Sequence, residues 1–93
     1  MKILVEEEYG WRYWVWTPES DDYNAVREEF ETVTSKENYF CLISPRVDFG
    51  GQWDEVEHEE WMRVYQSGDF TATAHLHDES DSGITERKET HTQ

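Results

Sequence analysis

Residues 11–16 read Trp-Arg-Tyr-Trp-Val-Trp, and no other stretch limits the possible folds so tightly. Aromatic and β-branched side chains at this density favour a strand. Strand alternation puts Trp11, Tyr13 and Val15 on one face and Arg12, Trp14 and Trp16 on the other. Large apolar groups therefore point both ways. Residues 39–44 (Tyr-Phe-Cys-Leu-Ile-Ser) repeat the pattern, with Tyr39, Cys41 and Ile43 opposed to Phe40 and Leu42. A sheet built on such strands needs cover on both faces, from the chain itself or from a partner.

The rest of the chain supplies few candidates for that cover. Residues 2–7, with Ile3 and Val5, predict a strand that forms a hairpin with residues 11–16 through a turn at Gly10. Thr17 as N-cap and Pro18 at the first helical position predict a helix over 18–33. Its apolar stripe is Tyr23, Val26, Phe30 and Val33. Residues 39–44 read as a central strand, residues 46–52 as a loop, and residues 53–66 as a second helix closed by Gly68. Residues 69–77 alternate as a last strand, with Phe70, Ala72, Ala74 and Leu76 on one face. Beyond Asp78 only Ile84 is apolar, which predicts an acidic domain over 1–78 and a disordered polar tail over 79–93. The expected fold is α+β in the order ββαβαβ, a mixed β-sheet with two helices on one face. In that arrangement Trp14 and Trp16 lie on an uncovered face, a surface for a partner or a second copy, unless the loop carrying Val47 and Phe49 folds over it.

Charge narrows the function classes. The chain has 93 residues, 22 Asp and Glu, 8 Lys and Arg, and a formal net charge of −14. Direct binding to nucleic acid or to an anionic membrane face runs on Lys and Arg, so both are excluded. A single cysteine, Cys41, excludes an internal disulfide framework and fits a reducing, cytoplasmic compartment. The opening Met-Lys-Ile-Leu-Val-Glu-Glu-Glu lacks the apolar core of a signal peptide, and no run approaches the ~18 apolar residues of a membrane span.

On a helical wheel Asp21, Glu28 and Glu31 fall opposite the apolar stripe of the first helix, and Glu55 and Glu59 belong to the second. Like charges at helical spacing repel by ~0.2–0.5 kcal/mol per pair, so a face with so little interleaved Lys points to use of the field itself. Duplex DNA carries one charge per ~1.7 Å of its axis. In composition the chain resembles the small acidic DNA mimics that phages and mobile elements direct against host nucleic-acid enzymes. That resemblance implies an inhibitor or decoy occupying a basic site on a partner protein. The alternative is a homodimeric structural or adaptor domain whose acidity serves solubility or salt adaptation.

Catalytic chemistry finds little footing. His75 and His77 share one face of the last strand, the spacing of a weak metal-ligand pair and the basis of a third reading, a metal-dependent enzyme. Glu57 and Glu60 flank the apolar stripe of the second helix, a place for an acid–base pair or for the rim of a core. Cys41 sits among apolar neighbours as a filler, and Gly50-Gly51 lacks the Lys-Ser/Thr of a phosphate loop. The expectation is a protein that is not an enzyme and holds no cofactor.

Overall fold

The first strand carries Ile3, Leu4 and Val5 in succession, apolar to both sides, and such a run fits a strand buried on both faces. The computed structural model, which describes residues 1–8, 11–34, 49–76 and 82–87, places it at the centre of the sheet. β1 is Ile3–Glu7, β2 Arg12–Thr17, α1 Tyr23–Thr34, β3 Gln52–Val56, α2 His58–Ser67, β4 Ala72–Leu76 and β5 Gly83–Glu86. The strands lie in the order β3-β2-β1-β4-β5, with β1 and β4 parallel and every other pair antiparallel. The class is α+β, and the first six described elements run ββαβαβ. The expected strand over 39–44 lies outside the described residues.

The two helices do not share a face. Ile3, Val5, Trp14, Trp16, Trp53, Ala72, Ala74 and Leu76 form one core with Val26, Phe30 and Val33 of α1. Leu4, on the opposite side of β1, packs with Trp61 and Val64 of α2, and Tyr13, Val15 and Val56 border that second core. The expectation of both helices on one face is therefore corrected. Strands apolar on both sides leave two faces to bury, and one helix goes to each.

Three element boundaries also move. Helix α1 starts at Tyr23, not at Pro18, because Asp22 is the cap: its Oδ1 accepts the Asn24 N–H at 3.0 Å. Thr17 stays in β2, opposite Gln52. Residues 53–56 are a strand instead of the first turn of a helix, since β2 has an open edge and Trp53, opposite Trp16, stacks on it at 4.8 Å. Helix α2 then begins at His58 and closes as expected, with Gly68 left-handed at φ 77 and its N–H donating to the Tyr65 carbonyl.

The tail expectation is corrected over Gly83–Glu86, which pairs antiparallel with β4. Ile84, the apolar residue that stands out in this polar stretch, lies opposite Ala74 and packs on the α1-side core. The Arg87 N–H adds a bond to the Thr71 carbonyl at 2.8 Å. Helix α1 packs near this strand, and burial pushes the Tyr23 phenol up, with the Glu86 carboxylate adding to the rise. An unfolded phenol ionises near pH ~10 and the folded one above it. That stability contribution is complete below pH ~10 and is lost as pH climbs through the raised value. Tyr23→Phe should leave the urea midpoint near pH ~8 almost unchanged and flatten its decline above pH ~10. Parallel declines in the two proteins would show that Tyr23 is not held neutral by the fold.

Candidate functional site

Trp14 and Trp16 are core residues, 3% and 0% exposed, and the expected aromatic docking face is corrected accordingly. Phe49 closes over it, 5.5 Å from the Trp16 ring and stacked on Phe30 at 5.4 Å. Trp16 Nε1 donates to the Gly50 carbonyl at 2.7 Å. Trp14 Nε1 donates to Glu7 Oε1 at 2.8 Å, which satisfies the one buried acid among the described residues. Among the described residues the exposed large aromatics are instead Trp11, 72% exposed at the hairpin with φ 55, and Tyr65, 47% exposed on α2.

The acidic candidates stay at the surface. Asp21, Glu28, Glu31, Glu55 and Glu59 are all exposed. Their grouping differs from the expected pair of helical faces. Glu28 and Glu31 lie on α1, Asp21 in the bend before it, Glu55 on the edge strand β3 and Glu59 in the first turn of α2. The ion pairs among the described residues are Lys2–Asp69, Arg63–Glu60, and His75 with Glu6 and Glu8, so none of these five carboxylates is neutralised by a pair there. The sheet separates the α1 acids from Glu59, and the acids of β3 lie along one edge.

The weaker chemical candidates come apart. His75 Nδ1 faces Glu6 Oε1 at 3.9 Å and Nε2 faces Glu8 Oε2 at 3.5 Å. The two carboxylates thus sit at opposite ring nitrogens, whereas one metal ion would need them on the same nitrogen's side. Among the described residues no group of three His, Cys, Asp or Glu could hold a metal, and His77 and Cys41 lie outside them. Glu60 accepts from Arg63 Nε at 3.0 Å, and that bond holds its carboxyl below the usual carboxylate value. Glu57 is exposed ahead of α2, so the two acids form no inward-facing pair.

A groove that sequence reasoning missed lies on the α2 face. It measures ≈ 480 Å³ and opens between α2 and the sheet, with Glu6, Tyr13, Trp61, Tyr65, His75 and Thr85 in its wall. Beside it an aromatic ladder runs through Tyr13–Trp61 at 5.6 Å, Trp61–Tyr65 at 5.9 Å and Tyr65–Phe70 at 5.4 Å, the last two pairs stacked. Arg87 lies over the Phe70 ring at 5.7 Å. Trp61 Nε1 anchors the ladder by donating to the Val5 carbonyl at 3.2 Å. Trp61 and Tyr65 are i,i+4 on α2 and read in sequence as parts of a core stripe. Only placing α2 on its own face separates a buried Trp61 from an exposed Tyr65.

No helix among the described residues is long and apolar enough to cross a membrane. No protein-family model matches the chain, and neither a curated protein nor a solved structure matches it.

Proposed function

We propose that this chain is a non-enzymatic acidic interaction protein, an inhibitor or decoy that occupies a basic, nucleic-acid-binding site on a partner protein. The observation that carries the reading is the exposure of Asp21, Glu28, Glu31, Glu55 and Glu59 without a pairing cation among the described residues. Exposed carboxylates on a chain of net charge −14 create a field that favours a cationic groove and speeds encounter with it. A homodimer through Trp14 and Trp16 is not favoured, because both side chains are already spent on the core.

Exposed charges more than ~8 Å apart are screened at physiological ionic strength, so binding of this kind falls steeply with salt. A lysate protein captured on this chain should elute early in a salt gradient and be displaced by duplex DNA or RNA. Glu28→Lys with Glu31→Lys should weaken capture about tenfold or more at low salt, chiefly through the association rate. The same change should leave the unfolding midpoint unchanged or higher, since it relieves repulsion on α1. A partner that binds equally well at low and high salt, or that holds this chain and its nucleic acid together, overturns the reading.

A further inference from the structure

We propose that the groove between α2 and the sheet binds a guanidinium, the side chain of an arginine on the basic partner. The inference rests on the reading that the partner is basic, while its test uses no partner at all. Three observations carry it.

The first is the wall chemistry. Tyr13, Trp61 and Tyr65 bring aromatic rings to a cleft that also holds the carboxylate of Glu6. Glu6 is half-buried, and its one ion pair among the described residues is with His75 Nδ1 at 3.9 Å, beyond hydrogen-bonding distance. Its oxygens can therefore accept a donor fork. Among the described residues no Lys or Arg lines this groove. Carboxylate plus aromatic face is the pairing a guanidinium satisfies at once, because its plane stacks on rings while its edge donates two parallel bonds.

The second is an internal precedent. Beyond Tyr65 the same ladder continues to Phe70, and there the chain seats its own guanidinium, Arg87, above the ring. Gly68 leaves it room: a Cβ at that position would meet Arg87 Nη2 at 2.8 Å. One end of the ladder thus already holds an arginine in a cleft lined by Tyr65, Phe70 and Arg87 itself. The groove on the other side of Tyr65 offers the same kind of surface, aromatic rings with a carboxylate, Glu6 there standing where Glu86 lines the Arg87 cleft.

The third is size and sign. A cleft of ≈ 480 Å³ lies within the ~300–1,000 Å³ range of small-ligand sites. An anion would meet Glu6 and the net charge of −14, and an ammonium, compact and strongly hydrated, gains less from flat rings than a guanidinium does.

The test titrates N-acetyl-arginine amide into the full chain and follows the Trp61 indole N–H by NMR. N-acetyl-citrulline amide, a neutral probe of the same shape, is the comparison. Arginine should give a saturable shift and citrulline a shift at least about tenfold weaker. Glu6→Gln and Tyr65→Ala should each weaken arginine binding ~3- to 30-fold. Thr85→Arg, which supplies the groove with a tethered guanidinium from an exposed strand position, should block the probe while leaving the aromatic rings and Glu6 in place. Equal shifts with citrulline, or arginine binding unaffected by Tyr65→Ala and by Thr85→Arg, overturn the proposal. Arginine binding that survives when no salt-sensitive basic partner is captured leaves the groove assigned and sinks only the decoy reading.

Discussion

Replacing Trp16 with alanine should remove about 3–5 kcal/mol of stability. A domain of this length has ~5–14 kcal/mol in total. Trp16 is fully buried, stacked on Trp53 with the ring planes 17° apart and packed against Phe49. Truncation leaves a void beside the rings of Trp53 and Phe49, and it also strips the Gly50 carbonyl of its donor. The melting temperature should fall by more than ~12 °C, read by near-ultraviolet circular dichroism, which reports these rings directly. Trp14→Ala should act in the same direction, because it takes the indole N–H from the buried Glu7 carboxylate. If Trp16→Ala melts within a few degrees of the parent, Trp16 is not a core residue and the aromatic docking surface returns.

Gly51→Ala should be nearly as damaging, although it adds one methyl group. Gly51 has φ 96, a conformation that L side chains rarely adopt. A Cβ there would run into the Thr17 carbonyl oxygen and lie 2.9 Å from Pro18 Cα, both backbone, with Trp16 Nε1 at 3.1 Å. The strain costs about 1–3 kcal/mol, and displacing packed backbone costs a similar amount again. Gly50→Ala is the matched control. Its Cβ would meet only the end of the Glu19 side chain, 2.7 Å from Oε1, and that flexible group swings away. The control should stay within ~0.5 kcal/mol of the parent. Equal urea midpoints for the two variants would mean that the approach of residue 51 to the β2 strand end does not constrain the fold.

Much of the candidate site was legible in the sequence as type and not as grouping. The exposure of Asp21, Glu28, Glu31, Glu55 and Glu59 follows from the cost of burying an unpaired carboxylate, which no local context removes. Their assignment to two helical faces was not borne out, because Glu55 belongs to β3 and Asp21 precedes α1. The groove escaped notice because its wall draws on β1, β2, α2, β4 and β5, elements separated by up to some 80 residues of chain.

The short-range physics of the chain determined β1, β2, β4, the apolar stripe of α1 and the end of α2. Alternation of apolar residues, a 3.6-residue stripe and a glycine past the last turn each act within a few residues, so the sequence alone displays them. Tertiary structure decided the rest. Whether Trp14 and Trp16 are surface or core depends on which face α1 takes and on Phe49 arriving from beyond it. Residues 53–56 carry apolar side chains at helical spacing, yet the open edge of β2 and the Trp16 ring draw them into a strand. Ile84, a single apolar residue in a polar stretch, is too weak a local signal to announce β5, but the exposed edge of β4 and the small Ala74 beside it give that residue a place to bury. Hydrogen bonds at a sheet edge and cover for a two-faced sheet are demands made by distant parts of the chain, and they outweigh local preference wherever that preference is shallow.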